Sequence, residues 1–404
     1  MKRLVLFPVF PYATFGIRRK RMLREKRRRR LVLPKSSGKI FLSDSTIIPR
    51  ARKKERNNKM REFTENWKTL EYAEPELKLI DQRVLPTEFT YFYCKTSEEV
   101  AFSIKDMVVR GAPAIGGAAG YGVFFAAREA NGDWDVFASK CKRIRESRPT
   151  AVNLMWATDR MVKKAKECGM DLATLQKEAQ AIIDEDIAMN HEISRIGNEV
   201  VKPGATILTH CNTGALATCG WGTALGVIKD AHFSGKNIFV YADETRPRFQ
   251  GARLTAWELV DSKIPSKLIP DSAAATLIRD GKIDCVILGA DRITTDGDVA
   301  NKLGTFALSV ICKHYGVPFY SVAPTTTIDF DLKEGKDIPI EERDADEVKR
   351  PGGVLVAPEE MDVYNPCFDV TPHQNITGII TEKGIVRPPF DVNIAKIKRG
   401  EKLY

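Results

Sequence analysis

The sequence predicts an α/β protein in which a small amino-terminal strand-plus-helix domain is joined by a long helix to a doubly wound parallel-sheet domain. Three observations predict it. A chain of 404 residues that is 43% hydrophobic is too long for one ordinary small domain and rich enough in apolar residues to bury two cores. From Asp171 to Val201 the apolar residues recur at helical spacing, which gives one long amphipathic connector. Beyond Pro203-Gly204, short apolar runs alternate with windows long enough for crossover helices, the pattern of parallel strands buried on both faces.

The chain divides into residues 1–59, 60–202 and 203–404. The first block carries 20 Lys plus Arg against 3 acids, a local charge of +17, so within a chain of net charge +10 the remainder stands at −7. An acidic body thus bears a basic extension. Pro8 and Pro11 break its apolar stretch, and arginines stand where a signal peptide presents small residues for cleavage, so secretion is rejected. Three readings of the extension stand: translation that begins at Met60, a disordered solvated tail, or a basic arm. Only the last makes nucleic acid or anionic lipid a partner, and mass spectrometry of the native amino terminus separates the three.

In the second block, alternation from Glu65 to Lys95 predicts short strands. Helical spacing begins at Ser97 and continues through the small-residue segment Ala112 to Ala127, and further helices are predicted over Val152 to Cys168 and Asp171 to Val201. In the third block the predicted strands are Thr206-Ile-Leu-Thr-His, Asn237-Ile-Phe-Val-Tyr-Ala, Cys285-Val-Ile-Leu-Gly-Ala, Val317-Pro-Phe-Tyr-Ser-Val-Ala and Thr377-Gly-Ile-Ile-Thr. No apolar run approaches the roughly 20 residues of a membrane span, so a soluble, cytoplasmic protein is expected. The eight cysteines form no CxxC pair and have no histidines at zinc spacing, which favours reduced thiols and no metal; Cys211 and Cys219, the closest pair, are expected to stay unbridged.

In open doubly wound sheets ligands collect beyond the carboxyl ends of the strands. The first such end reads His210-Cys211-Asn212-Thr213-Gly214 before an Ala-rich helical window. A thiol there would face the positive end of a helix, which lowers its pKa, although most free cysteines are simply small buried hydrophobes. His210 reads as an orienting or buried residue. A second end reads Gly289-Ala290-Asp291-Arg292, where Asp291 is either a general acid or base or a structural partner of Arg292. Asn301-Lys302 follows, with Lys302 suited to a phosphate if it is not solvated surface. A third leads through Glu244-Thr-Arg246-Pro to Gln250-Gly-Ala-Arg253, where amide and guanidinium groups can bind sugar hydroxyls or phosphate or brace the loop. From the second block, Arg110-Gly111-Ala112 and Arg148 combine guanidinium groups with a small-residue helix start, a fit for an anion. No Walker A loop and no strand-borne GxGxxG is present, so no nucleotide cofactor is expected.

As an ordered set these segments resemble the methylthioribose-1-phosphate isomerase family, which is related to ribose-1,5-bisphosphate isomerases and to regulatory subunits of a translation-initiation exchange factor. The resemblance runs from about Met60 to the carboxyl terminus. It rests on Arg110-Gly-Ala-Pro-Ala-Ile-Gly, Arg148-Pro-Thr-Ala-Val-Asn-Leu, Thr209-His-Cys-Asn-Thr-Gly, Gln250-Gly-Ala-Arg-Leu-Thr-Ala-Trp-Glu-Leu and Gly297-Asp-Val-Ala-Asn-Lys, with Ile338-Pro-Ile-Glu-Glu-Arg and Asn365-Pro also fitting. It implies a cofactor-free homodimer with a Rossmann-like carboxyl-terminal domain and a sugar phosphate as substrate. By position it implies Cys211 and Asp291 as the catalytic pair, and Arg110, Gly111, Ala112, Arg148, Gln250, Asn301 and Lys302 as substrate-binding residues. Other sugar 1-phosphates, or a non-catalytic regulatory role, are the alternatives it leaves.

Overall fold

A computed structural model of the chain describes residues 65–148 and 151–403; the basic extension and Met60 lie outside the described residues, as do Pro149 and Thr150. Alternation gives an antiparallel meander of β1 (Leu70–Ala73), β2 (Glu76–Ile80) and β3 (Tyr91–Cys94). Helix α1 (Ser97–Lys105) starts at a reciprocal cap in which Thr96 accepts from the Glu99 amide and the Glu99 carboxylate accepts from the Thr96 amide. The helical run expected to continue from Ser97 to Ala127 is in fact broken. Met107 (φ 60°) and Gly111 (φ 93°) turn left-handed, and α2 (Ala112–Ala130) starts afresh. The apolar spacing that bridges this break serves packing on both sides of it, which is why periodicity alone hid it. Ala and Gly let α2 run through the middle of its helical layer, buried along almost its whole length, against α3 (Trp134–Arg145), α4 (Val152–Cys168) and α5 (Leu172–Asn198). Helix α3 was not anticipated.

The remaining elements are β4 (Thr206–Thr209), α6 (Ala224–Phe233), β5 (Phe239–Asp243), α7 (Ala256–Asp261), β6 (Ser266–Ile269), α8 (Ala273–Arg279), β7 (Cys285–Gly289), β8 (Arg292–Ile293), β9 (Val299–Lys302), α9 (Thr305–Tyr315), β10 (Phe319–Val322), α10 (Asp346–Lys349), β11 (Phe368–Thr371), β12 (Gly378–Thr381), β13 (Gly384–Val386) and α11 (Phe390–Lys398). Seven strands form one sheet in the order β13-β12-β10-β7-β4-β5-β6, parallel throughout except for the β12–β13 hairpin. All five predicted strands lie in it. Side chains alternate across its faces: Ile207, Val240 and Ile287 pack with residues of α5 and α6, whereas Leu208, Val286 and Leu288 pack with residues of α8, α9 and α11. The sheet is therefore doubly wound.

Strand order places the site. From β4 the chain steps outward to β5 and β6, then returns to the other flank of β4 as β7 and steps outward again to β10 and β12. The order reverses between β4 and β7, so a crevice opens beyond the carboxyl ends of those two strands. Strands β8, β9 and β11 form a small antiparallel sheet directly after β7. No helix among the described residues is long and apolar enough to cross a membrane.

Candidate active site

Strands β4 and β7 are hydrogen-bonded neighbours in register Ile207 to Cys285 and Leu208 to Val286. Cys211 lies just beyond the first and Asp291 just beyond the second. Both line a single cavity, together with Arg110, Gly111, Ala112, Arg148, Gln250, Asn301 and Lys302. These nine residues are thus brought to one place, whereas the guanidinium groups of Arg246 and Arg253 do not line it: Arg246 donates to the Pro247 and Val348 carbonyls and Arg253 to those of Leu85, Gln82 and Arg83, so both brace loops.

Cys211 occupies the left-handed region (φ 63°), an unfavourable conformation for a non-glycine residue that its surroundings enforce. Its amide donates to Thr245 Oγ1 at 2.9 Å, and its carbonyl accepts from Thr255 Oγ1 at 2.6 Å. Preceding it, His210 bonds Asp243 Oδ2 through Nδ1 and the Leu303 carbonyl through Nε2, each at 2.9 Å, so it orients the loop, as expected. The expectation that a helix end lowers the Cys211 pKa is not met. The chain beyond it makes only a three-residue 3-10 turn at Ala215–Ala217, and α6 begins later, at Ala224. Burial instead pushes the thiol up, and Arg110 and Lys302 pull it back down. All eight cysteines are free, and Cys219 is buried with its thiol against the Pro113 carbonyl at 3.6 Å.

Asp291 is anchored by its backbone amide to the Ala300 carbonyl at 2.9 Å. Among the described residues its carboxylate accepts no hydrogen bond, and Arg292 pairs with Asp329 at 3.6 Å rather than with Asp291. Burial raises its pKa, against the pull of Lys302, Arg110 and Arg148. Burial without donors favours the protonated form of the carboxyl group, the form that a general acid needs.

The cations are held individually. Arg110 donates through Nη2 to the Asn212 carbonyl at 3.1 Å, while its buried Nη1 has no partner among the described residues. Arg148 is held low by burial and then by the neighbouring Arg343 charge. Lys302, on β9, is buried rather than solvated; it donates to the Cys367 carbonyl at 2.7 Å and lies 4.8 Å from the centre of the Phe368 ring. Asn301 donates to Thr305 Oγ1 at 3.0 Å. Gln250 precedes a π-turn at Gly251–Thr255, and its buried Oε1 has no partner. Gly111 precedes α2, whose first turn carries no side-chain cap, and a Cβ at Gly111 would lie 2.2 Å from the Ala217 carbonyl oxygen. Only glycine lets the amides of that helix start face the cavity beside Ala217.

Several lining residues escaped assignment. Arg248 and Arg343 both pair with Glu347 Oε1, at 2.9 and 3.1 Å, and the Arg343 backbone amide also donates to the Asn365 carbonyl at 2.9 Å. Arg343 and Asn365 stand within quoted family segments, the one signal that pointed to them. Two clusters of the described residues have ligand-like atoms close enough to share a metal ion, His210–Asp243–Asp271 and Asp296–Asp298–His373. Both are internally hydrogen-bonded, with Asp271 accepting from the Thr245 and Arg246 amides at 2.7 Å and Asp298 accepting from His373 Nδ1 at 2.7 Å; none of the six lines the cavity of Cys211 and Asp291.

Comparison with known proteins is consistent with this geometry. The Initiation factor 2 subunit family matches residues 108–388. The chain is 61% identical over 341 residues to a methylthioribose-1-phosphate isomerase of a Thermoanaerobacter species, covering 82% of this chain and 99% of the relative. Among solved structures, the 5-methylthioribose 1-phosphate isomerase of Pyrococcus horikoshii superposes with a TM-score of 0.79 at 44% identity, covering 85% of this chain and 99% of that one. A structure titled as the delta subunit of translation initiation factor eIF-2B from A. fulgidus follows with a TM-score of 0.74 at 41% identity, covering 82% and 99%. On the matched span and these identities, the chain belongs to the Initiation factor 2 subunit family, in its methylthioribose-1-phosphate isomerase branch.

Proposed function

We propose that this chain is an aldose–ketose isomerase that converts 5-methylthioribose 1-phosphate to 5-methylthioribulose 1-phosphate in methionine salvage, as a cytoplasmic homodimer. The carrying observation is the shared cavity: a thiol and a carboxyl group whose protonated form burial favours line the same hollow, ringed by cations.

Such a substrate sets a particular chemical problem. Phosphate on the anomeric oxygen prevents spontaneous opening to a free aldehyde, so the ring oxygen must be protonated while C1 gains cationic character. We assign that proton to Asp291. Cys211, as thiolate, then takes the proton from C2 and returns it to C1, or assists a hydride shift between them; the 2-hydroxyl proton restores the Asp291 acid. Arg110 and Lys302 favour the thiolate against the burial that opposes it. We assign the phosphate to the unpaired Arg110 Nη1, to Arg148 and to the Gly111 and Ala112 amides, with Gln250, Asn301 and Lys302 orienting the remaining oxygens.

An adjoining cavity supports the methylthio substrate over a bisphosphate. It shares Arg148 and Asp291 with the first, and its further walls include Ile115, Val152, Ala300, Ile338 and Pro339. Its additional cation, Arg292, pairs with Asp329 at 3.6 Å, and the lining also includes the Glu341 carboxylate, so these mostly apolar walls suit a thioether better than a second phosphate. The test is to incubate pure protein with 5-methylthioribose 1-phosphate, ribose 1,5-bisphosphate and 5-deoxyribose 1-phosphate and follow ketose formation, with light scattering for the dimer. Preference for the bisphosphate would overturn the substrate assignment. Absence of turnover on all three would favour the alternative of a non-catalytic, translation-factor-like subunit.

A further inference from the structure

We propose that Glu258 is a positioning residue: through a fully buried ion pair with Lys229 it holds the loop between Cys211 and Thr223 in the shape that sets Cys211 and Arg110 in the cavity. This rests on the isomerase reading above. Glu258 and Lys229 are both inaccessible to solvent, at 0% relative exposure, and neither lines the cavity. Glu258 Oε1 accepts from Asn212 Nδ2 at 2.8 Å and from the Leu216 amide at 3.4 Å, while Oε2 accepts from the Ala215 amide at 2.8 Å and from Lys229 Nζ at 3.2 Å. Lys229 Nζ also donates to the Trp221 carbonyl at 3.3 Å and to Glu65 Oε1 at 2.5 Å. One ion pair thereby fastens the loop at both ends.

This loop satisfies its backbone only in part by itself, through a Gly214–Gly222 bridge and short turns, and at Ala215, Leu216 and Cys219 its amides depend on buried carboxylates, those of Glu258 and Asp186. Between β4 and α6 it forms no strand and one short helical turn, at Ala215–Ala217, yet it is largely buried. Two apolar side chains would fill the space of Glu258 and Lys229 at no desolvation cost, so packing does not explain the pair. What the carboxylate alone supplies is acceptors for the Asn212 side chain and for the Ala215 and Leu216 amides. Gly214 has a matching constraint, since a Cβ there would lie 2.1 Å from Glu258 Oε2. Two links lead from this anchor to the chemistry. Asn212, held by Glu258, offers its carbonyl to Arg110 Nη2 at 3.1 Å and directly follows Cys211. Helix α7, which carries Glu258, adjoins the turn whose Thr255 hydroxyl donates to the Cys211 carbonyl at 2.6 Å.

The test compares the parent with Glu258→Gln and with the paired apolar replacement Glu258→Leu plus Lys229→Met. The paired variant removes both fully buried charges together but leaves the Asn212 side-chain amide and the Ala215 and Leu216 amides without acceptors, so it is expected to fold with a lowered melting temperature. Its kcat is expected to fall about a hundredfold with KM changed far less, since the loop has lost its acceptors. Independently of any substrate, amide hydrogen exchange in the peptide spanning 211–223 should quicken about tenfold in both variants while the rest of the sheet is unchanged. A folded variant with kcat within about threefold of the parent, or with unchanged exchange in 211–223, overturns the proposal. So does loss of the fold in both variants, which would make Glu258 a stability element. A parent inactive on every sugar phosphate would count against the isomerase reading alone, and the exchange comparison would still decide the role of Glu258 in the loop.

Discussion

Two carboxylates act on the Cys211 loop, and the fold treats them in contrary ways. Glu258 is surrounded by donors: two amides, a side-chain amide and an ammonium group. Asp291, at the neighbouring strand end, accepts no hydrogen bond among the described residues and feels three cations only through space. Burial therefore prevails at Asp291 and raises its pKa. Asp186 on α5 stands between them, accepting from the Cys219 amide at 2.8 Å and Asn190 Nδ2 at 3.0 Å, and its pKa is pushed up to about 6 by burial. The role of an enclosed carboxyl is thus set less by depth than by how many donors are built around it.

The comparison breaks first at the catalytic pair. Cys211→Ser and Asp291→Asn are each expected to lower kcat by roughly three to five orders of magnitude. Because the fold disfavours the Asp291 charge, Asp291→Asn should melt no lower than the parent at neutral pH, measured by calorimetry. Near-normal turnover in either variant would sink the assignment. Gly111→Ala comes next. A Cβ 2.2 Å from the Ala217 carbonyl, at φ 93°, forces the helix start away from the loop. About 2–3 kcal/mol of stability should be lost, with a rise in KM, as denaturant titration and steady-state kinetics would register.

Lys302→Met sharpens the comparison at Asp291. Lys302 pulls both Asp291 and Cys211 down, so its removal should raise both. The acid limb of the kcat profile, set by thiolate formation, then moves to higher pH, with kcat/KM at neutral pH down about ten- to a hundredfold. A limb that stays in place would remove Lys302 from the field of the pair. The smallest effect is expected at Asp186→Asn. The folded pKa of Asp186, about 6, exceeds its unfolded value, so its contribution to stability is present below the unfolded value and lost as pH rises through 6. An amide keeps the acceptor and carries no charge. The variant should gain about 1 kcal/mol at pH 8 and little near pH 4, a difference that melting at the two pH values would show.

Much of this was readable beforehand. The five central strands were apparent because strands buried on both faces leave unbroken apolar runs. Strand β6, Ser-Lys-Leu-Ile at the sheet edge, is largely exposed and left none, while β8 and β13 are too short to show a period. Cys211 and Asp291 stood out because polar residues interrupt the text at the ends of apolar runs. Glu258 and Lys229 did not, since each sits on a helix where charged residues are ordinary and only three-dimensional proximity turns them into a pair.

What the sequence determined by itself was which segments become strands and helices and which reactive groups stand where those segments end, because both follow from local period and composition. Only the tertiary structure decided that β4 and β7 lie side by side, that no helix end serves Cys211, and which carboxyl receives donors and which receives none. Those outcomes depend on groups distant in the chain sharing one water-excluded volume, where electrostatic and desolvation energies are set by neighbours that local sequence does not name.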